Sequence, residues 1–273
     1  MTTSDVVVVT GAGGMGTAVA RRIGSGRTVI LADAFPEHLD RAVAALRAEG
    51  YDAHGQVTDI ADQKSVTALA DRAAAEGRLS AVVHTAGVSA ATSTVRKIME
   101  VDLAGTAYLI DAFEPVATRA TSVVCVASMA GHYAQLSPDV ERALAITPAD
   151  GLLSLDVVAD FEGDPVSAYI LAKRANQVRV QAAALAYNRR GARINTISPG
   201  VISTPMARAE QESASGDHMM AMLDACGAGR TGTPAEIAEA AAFLTGPGSL
   251  YITGTDLLID GGQAAWLYHH RPQ

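Results

Sequence analysis

Short runs rich in Val and Ile alternate along the sequence with Ala-rich segments in which apolar residues recur at helical spacing. The runs predict strands over residues 6–10, 28–33, 53–57, 81–84, 123–127, 193–197 and 257–260. Apolar strands separated by amphipathic helices are typical of a parallel sheet that is covered on both faces. We therefore predict an α/β, doubly wound Rossmann-type fold: a seven-stranded parallel sheet with helices on both faces.

Composition limits the partners and locations that need to be considered. The chain has 273 residues, 49% of them apolar, and no low-complexity linker divides it, so we expect a single domain over residues 1–273. A net charge of -8 opposes binding to nucleic acid or to an anionic membrane. The sequence has no signal-peptide pattern, and its cysteines, Cys125 and Cys226, fit reduced thiols. We expect a cytoplasmic protein without a nucleic-acid or membrane partner.

A glycine turn, G-A-G-G-M-G over residues 11–16, follows the first predicted strand and has the G-x-G-x-x-G spacing. Such a turn lets backbone N–H groups approach a pyrophosphate, and the next helix presents the positive end of its dipole. The dinucleotide-binding candidates are Gly11, Gly13, Gly14, Met15 and Gly16. The alternative is a glycine-rich turn that binds no ligand.

Acidic residues end the second and third predicted strands. Asp33 lies about 20 residues beyond the turn, where a carboxylate can accept hydrogen bonds from an adenosine ribose. Because it would repel a 2′-phosphate and no Arg or Lys follows it directly, we expect NAD(H) to be preferred over NADP(H). Asp59 is placed to meet the adenine amino group, although it can almost equally be an exposed loop or helix-capping carboxylate, and Ile60 is included as a cofactor-binding candidate beside it.

Tyr169 and Lys173 are spaced i and i+4 on a predicted helix and so share one face. A nearby cation favours the phenolate and lowers the pKa of a tyrosine, which suits a general acid or base for alcohol oxidation or carbonyl reduction. Alone, this spacing is common on ordinary helices.

The glycine turn, Ser128 after the fifth strand, Tyr169-x-x-x-Lys173 and Pro199-Gly200 after the sixth strand occur in this order. With the stretches 126–131, 195–200, 251–254 and 260–262, this pattern resembles the short-chain dehydrogenase/reductase family over essentially the whole chain.

The resemblance implies a role for each matching residue. Ser128 would hydrogen-bond the substrate oxygen, Tyr169 would exchange the proton, and Lys173 would bind the nicotinamide ribose. The other cofactor-binding positions implied are Ala86, Gly87, Pro199, Gly200, Val201, Ile202 and Thr204. The family likeness also implies a homo-oligomer, a dimer or a tetramer.

Asp102 departs from the family pattern, because the family has an asparagine linked to a proton relay at this position. An ionised aspartate accepts hydrogen bonds but cannot donate them as an amide does. We include Asp102 as a catalytic candidate with altered chemistry. Our hypothesis is that its backbone preserves a helix distortion and a water site. His84-Thr85 also replaces the family's two asparagines, so only Ala86-Gly87 matches there.

An insertion of about thirty residues, within 132–166, separates Ser128 from Tyr169 and is long for a connection in a compact domain. Ser137-Pro138 and Thr147-Pro148 each read as a cap followed by proline and predict two short helices. The insertion weakly resembles extra sequence in bacterial hydroxysteroid dehydrogenase/carbonyl reductases. It could shape the substrate pocket or alter a helix-pair dimer interface, and we favour the interface.

Residues 206–230 would form the family's mobile substrate lid. The methionines Met219, Met220 and Met222 offer an adaptable apolar surface, which favours a medium-sized hydrophobic secondary alcohol or ketone, unless they only pack the lid helix. The histidines show no metal-ligand spacing, and His132, close to Ser128, is interpreted as a loop residue, with a position facing the pocket as the alternative. Rival interpretations are an NAD-dependent alkene reductase or epimerase and a non-enzymatic dinucleotide sensor.

Overall fold

The computed structural model describes residues 4–205, 207, 212 and 216–269, without the side chains of His218 and Met219. Its strands are β1 Asp5–Thr10, β2 Thr28–Asp33, β3 Asp52–Val57, β4 Arg78–His84, β5 Ser122–Val126, β6 Arg193–Pro199 and β7 Asp256–Ile259. They form one sheet in the order β3-β2-β1-β4-β5-β6-β7, and every neighbouring pair is parallel. The predicted fold class and all predicted strands are confirmed.

Helices connect the strands. They are α1 Gly14–Ile23, α2 Pro36–Ala48, α3 Gln63–Glu76, α4 Val95–Ile98, α5 Thr106–Phe113, α6 Pro138–Ile146, α7 Asp156–Ala159, α8 Pro165–Arg189, α9 Gly216–Ala225, α10 Pro234–Thr245 and α11 Gln263–His269. A π-helical segment, Met99–Gly105, joins α4 to α5, and a 3₁₀ turn, Met129–Tyr133, follows β5. Pro234 opens α10 behind Thr233, whose hydroxyl forms a capping box with Glu236.

The sheet has a separate core on each face because successive side chains of a strand point to opposite sides. In β1, Val6 and Val8 join the cluster that includes residues of α3, α5 and α8. Val7 and Val9 join the opposite cluster, which includes residues of α1, α2 and α10. A strand that is apolar throughout is therefore buried on both sides, which explains the continuous valine run.

The insertion folds against α8 and forms a third core. It consists of α6, a 3₁₀ turn Ala149–Ser154 and α7. Leu144 and Leu152 are fully buried in one cluster with Leu103 of the π segment and Leu171 of α8. Ser137 caps α6 as predicted, by accepting a hydrogen bond from Val140 N.

The expectation for Thr147-Pro148 was wrong in its detail. Thr147 is the C-cap of α6, and Pro148 precedes the 3₁₀ turn without a side-chain cap. The carbonyl of Thr147 instead accepts a hydrogen bond from Arg179 Nη1 of α8 at 2.7 Å.

The carboxyl ends of the parallel strands all lie at one edge of the sheet, where ligands of such folds bind. The glycine turn follows β1, Asp33 ends β2, and Ser128 and Gly200 follow β5 and β6. Because β2 and β4 flank β1 on either side, the glycine turn lies at the point where the strand order reverses.

Candidate active site

A cavity of about 690 Å³ opens at this edge of the sheet. Both Ser128, from the end of β5, and Tyr169, from the second turn of α8, line it. The other predicted positions along its wall are Met15, Pro199, Gly200, Val201, Ile202 and Thr204. Residues more than 180 positions apart in the chain are thus brought to one site.

The glycine turn leaves room for a ligand on one side and is closely packed on the other. A Cβ atom on Gly16 would collide with the carbonyl oxygen of Gly11, so only glycine fits where α1 starts. A Cβ on Gly13 would meet no described atom within 4 Å. Gly13 is also the N-cap of α1, so its open side lies at the positive end of that helix.

Asp33 ties the glycine turn to the loop after β2. Its two carboxylate oxygens accept hydrogen bonds from Ala12 N at 2.7 Å and from Phe35 N at 2.9 Å. Each oxygen has two lone pairs, so the carboxylate can still accept hydrogen bonds from a ligand. On α2, His38 and Arg41 line a shallow cavity beside Ala12, a feature that the sequence motifs do not indicate.

Asp59 and Ile60, which follow Thr58 after β3, both make local contacts. Asp59 is exposed, and its carboxylate accepts a hydrogen bond from Ala61 N at 2.9 Å, which is the loop-capping alternative. Ile60 is buried among the residues of one core, and its carbonyl lies close to Gly105 of the π segment.

Ser128 is the N-cap of the 3₁₀ turn, and its Oγ accepts a hydrogen bond from Ala130 N at 3.1 Å. Because this contact uses an oxygen lone pair, the hydroxyl hydrogen can still be donated into the cavity. Gln177 of α8 donates hydrogen bonds to the carbonyl of Ser128 at 3.4 Å and to Ser198 Oγ at 2.9 Å. The serine is therefore held from both β6 and α8.

Lys173 lies one helical turn beyond Tyr169, and its Nζ is 5.1 Å from the centre of the tyrosine ring. The lysine is buried, at 5% exposure. Burial acts to lower the pKa of Lys173, but Asp102 and Tyr169 raise it above its usual value. The ammonium ion therefore stays charged beneath the phenol.

Asp102, in the π segment, is fully buried and forms an ion pair with Lys173, with Oδ1 3.6 Å from Nζ. The same oxygen accepts a hydrogen bond from Val88 N at 3.0 Å. Burial raises the pKa of the Asp102 carboxyl, and Lys173 opposes that shift. The π segment, α8 and the loop after β4 thus meet at a buried pair of opposite charges.

A family model described as short chain dehydrogenase matches residues 5–138, and one described as Enoyl-(Acyl carrier protein) reductase matches residues 152–264. The stretch between the two matches lies within the insertion. The Short-chain dehydrogenase/reductase bsc3 of Alternaria brassicicola is 38% identical over 267 residues, which cover 96% of this chain and 97% of that protein. The chain belongs to the short-chain dehydrogenase/reductase family.

Other relatives have named activities. Galactitol 2-dehydrogenase (L-tagatose-forming) of Cereibacter sphaeroides is 32% identical, covering 94% of both chains. The 3-alpha-hydroxysteroid dehydrogenase from Pseudomonas sp. B-0831, solved with NADH, has a TM-score of 0.78 at 26% identity and covers 98% of this chain and 100% of that one. Solved structures with NADPH or NADP share the fold at 24% identity.

The residues of this short-chain dehydrogenase/reductase fit a nicotinamide dinucleotide. The open side of Gly13, at the start of α1, has room for a pyrophosphate, and the cavity extends from Met15 to the wall formed by residues 199–202 and Thr204. Ala86 and Gly87 follow β4 beside the turn, and a Cβ on Gly11 would lie 2.9 Å from Ala86 N. Tyr169 of α8 lines the cavity, and the buried Nζ of Lys173 lies 5.1 Å from the centre of its ring.

The helix distortion expected at Asp102 is present as the π segment. The backbone carbonyl of Asp102 accepts hydrogen bonds from Thr106 Oγ1 at 2.8 Å and from Asn176 Nδ2 at 3.0 Å. These donors match the two lone pairs of a carbonyl oxygen, which disfavours the backbone water site of our hypothesis. The carboxylate, rather than the backbone, is the group that reaches Lys173.

His84 has a role that motif comparison missed. Its Nδ1 lies 2.7 Å from Thr10 Oγ1 and its Nε2 3.1 Å from Thr106 Oγ1, which in turn donates to the Asp102 carbonyl. Burial, with a smaller contribution from Lys173, lowers the pKa of His84 to about 3, so the ring is neutral. The ends of β1 and β4 are thereby connected to the π segment.

Sequence reasoning also missed much of the substrate side of the cavity. Tyr133 of the 3₁₀ turn and Leu267 and Tyr268 of α11 line it, and the two tyrosine rings lie 5.8 Å apart. The position of Tyr133, five residues after Ser128, is the only local signal for this wall. His132 Nε2 instead lies 2.7 Å from Asp256 Oδ2, at hydrogen-bond distance, which agrees with its interpretation as a loop residue.

The lid prediction falls partly outside the described residues, which between 206 and 230 are 207, 212 and 216–230. Within these, Met222 is buried and lines the cavity together with Ala207. Met220 is exposed, and the side chain of Met219 is among those not described. Of the two methionines whose side chains are described, Met222 has the predicted contact.

The described residues contain no cluster of His, Cys, Asp or Glu that could hold a metal ion. Within the same residues, no helix combines the length and apolar character needed to cross a bilayer.

Proposed function

We propose that this short-chain dehydrogenase/reductase transfers a hydride between NAD(H) and a secondary alcohol/ketone pair, and that the substrate is medium-sized and hydrophobic. The observation that carries the proposal is that Ser128 and Tyr169 line one cavity while Lys173 lies directly behind the phenol. These are the groups that an exchange of a proton at a substrate oxygen requires.

A bound nicotinamide ring would accept or supply the hydride. During oxidation, Tyr169 takes the hydroxyl proton of the substrate, the C–H bond breaks, and a ketone forms. Ser128 donates a hydrogen bond to the same oxygen and fixes its position. In the reverse direction Tyr169 returns the proton to the carbonyl oxygen. Lys173 stabilises the phenolate by its positive charge and would hold the ribose.

The lining of the cavity supports a hydrophobic substrate. The substrate side is formed by Met129, Tyr133, Val166, Met222, Leu267 and Tyr268. A volume of about 690 Å³ accommodates a nicotinamide together with a substrate of medium size. A polyol, which the name of the Cereibacter relative would suggest, would leave many hydroxyl groups without partners on such a wall.

The test of the reaction is Tyr169→Phe, compared with Tyr251→Phe at a fully exposed tyrosine. With a panel of secondary alcohols and ketones, followed by nicotinamide absorbance, Tyr169→Phe should lose about a thousandfold in kcat. NADH binding, measured by fluorescence, should stay within about threefold of wild type. A non-enzymatic dinucleotide sensor would keep its behaviour in both variants. Turnover of activated alkenes or sugar epimers, without turnover of any alcohol or ketone, would support the rival enzymes.

The preference for NAD(H) is supported by Asp33, whose charge would face a 2′-phosphate. Arg41, beside the glycine turn, is the opposing feature. We expect Asp33→Asn to reduce the NAD-to-NADP ratio of kcat/KM by about tenfold, and Asp40→Asn, at an exposed carboxylate of α2, to leave it unchanged. If wild type instead prefers NADPH and Arg41→Met abolishes that preference, Arg41 receives the phosphate and the role of Asp33 is wrong.

We also propose a cytoplasmic homo-oligomer, a dimer or tetramer, without a nucleic-acid or membrane partner. Both cysteines are free and buried, and the net charge of -8 supports the exclusion of nucleic acid. The insertion packs on α8, on the π segment and on α5. It would therefore alter a dimer interface built from α5 and α8. Light scattering of wild type and of a chain lacking the insertion tests this, since an unchanged oligomer would remove the role of the insertion.

A further inference from the structure

The side chain of Asp102 is an acidic group in the interior, with its charge directed at Lys173. Its Oδ1 contacts Lys173 Nζ at 3.6 Å and Val88 N at 3.0 Å, while its Oδ2 is buried and makes no hydrogen bond with the described part of the chain. A buried carboxylate is costly unless a charge of opposite sign offsets it. Lys173 is the cation that offsets it.

The surrounding chain is shaped to bring the two charges together. A Cβ atom on Gly87 would lie 2.7 Å from Asp102 Oδ1 and 3.4 Å from Lys173 Nζ, so glycine at this position leaves the space that the pair occupies. Thr106 and Asn176 hold the Asp102 carbonyl and thereby fix the π segment. The carboxylate is thus positioned by groups other than Lys173.

The other titratable groups near Lys173 are neutral. His84, at the end of β4, has a pKa lowered to about 3 by its burial. Burial raises the pKa of the Cys125 thiol of β5 to about 12. The buried charges near Tyr169 are therefore those of Lys173, on the same helix, and of Asp102, on the π segment.

We propose that the Asp102 carboxylate is a positioning residue for the proposed oxidoreductase reaction: as the counter-ion of Lys173, it fixes the ammonium group and offsets part of the positive charge acting on Tyr169. The inference rests on the proposed function only in that Tyr169 is the proton-exchanging group. The proposed role belongs to the Asp102 side chain and is electrostatic, whereas the asparagine that the family has at this position is linked to a proton relay.

The direction of the effect follows from the charges. In Asp102→Asn the amide oxygen can still accept the Val88 hydrogen bond, but the negative charge is lost. The phenol then experiences the full charge of Lys173 and loses its proton at a lower pH. We expect a shift of about one pH unit toward acid.

The first experiment needs neither substrate nor cofactor. The ultraviolet absorbance of phenolate is titrated in the intact protein with and without Tyr169→Phe, in wild-type and Asp102→Asn backgrounds, and the difference isolates Tyr169. Asp111→Asn is the matched control, because Asp111 lies on the adjoining helix and pairs with Arg179 at 3.4 Å. The control should leave the Tyr169 transition in place. Gly87→Ala, which displaces Oδ1 without removing the charge, should give a smaller acid shift and serves as the second arm if Asp102→Asn does not fold.

The second experiment measures pH profiles of turnover. The acid limb of oxidation and the alkaline limb of reduction should both move toward acid in Asp102→Asn. An unchanged Tyr169 transition would reduce Asp102 to an acceptor for Val88 N and overturn the proposal, as would a shift toward alkali. Because the absorbance titration is independent of catalysis, loss of the proposed function would appear as absent turnover in wild type, with the titration result unaffected.

Discussion

The glycine turn and the segment from Ser128 to Tyr169 border the same cavity, but their structures have different origins. The turn is determined by backbone geometry over a few residues, since Gly16 fits only as glycine against Gly11. The second segment includes the insertion and is held by side chains that are distant in sequence. Arg174 pairs with Glu141 at 2.6 Å, and Arg179 donates to the Thr147 carbonyl.

A sequence motif can therefore specify the position of the glycine turn, whereas tertiary packing must specify the shape of the second segment. A strand, a glycine turn and a helix start together fix where a pyrophosphate can bind. The wall that we propose for the substrate is formed by four elements: the 3₁₀ turn after β5, the start of α8, α9 and α11. Changes in the two regions should therefore have different consequences for stability and for cofactor binding.

The largest expected effect on stability is in the insertion. Leu144→Ala removes a fully buried side chain from the third core and should lower the free energy of unfolding by about 3 kcal/mol, measured by urea denaturation. Ile146→Ala is the control on the same helix, at a residue 61% exposed, and should change it by less than about 0.5 kcal/mol. Similar values for the two variants would mean that the insertion does not share in the main cooperative transition.

A smaller loss of stability with a sharper loss of cofactor binding is expected in the turn. Gly16→Ala places a methyl group against the Gly11 carbonyl and should cost about 2 kcal/mol, because backbone has to move. Gly13→Ala, whose added carbon would meet open space, should stay within about 1 kcal/mol of wild type. Both should weaken NADH binding in calorimetry, and a folded Gly16→Ala with wild-type affinity would contradict the assignment of the turn.

The smallest effect concerns the capping box of α10, which packs on α1. Hydrogen bonds from Arg230 and Thr233 lower the pKa of Glu236 from 4.5 to about 2. The stabilisation that ionised Glu236 provides is therefore complete above the pKa of this residue in the unfolded chain, and it is lost as the pH falls toward 2. The stability difference between wild type and Glu236→Gln should be constant from neutral pH to about 5 and shrink below it. A stability difference between the two proteins that grows as the pH falls would contradict this prediction.

The fold could be predicted almost completely from the sequence because short stretches of sequence specify its elements. Examples are the valine run of β1, the proline after Thr233 at the start of α10, and the helical spacing of Tyr169 and Lys173. The glycine turn and Ser128 could be placed at the site for the same reason.

The rest of the site depends on contacts that no local pattern records. The ion pair of Asp102 with Lys173 requires knowledge of how the π segment faces α8, and the pattern at residue 102 led instead to a backbone hypothesis. The hydrogen bonds from His84 to Thr10 and Thr106 join residues of three separate segments. Tyr268 reaches the cavity from the far end of the chain.

The position of the insertion also bears on how such a protein can diversify. Its two ends are fixed, since Ser128 follows a central strand and Tyr169 lies near the start of α8. The entropy of closing a loop between fixed ends rises only with the logarithm of its length. Residues can therefore be gained or exchanged there at little energetic cost, provided that they bury a face such as that of Leu144. Ser128 and Tyr169 meanwhile stay where β5 and α8 hold them. New surface can in this way arise next to a site whose own residues are unchanged.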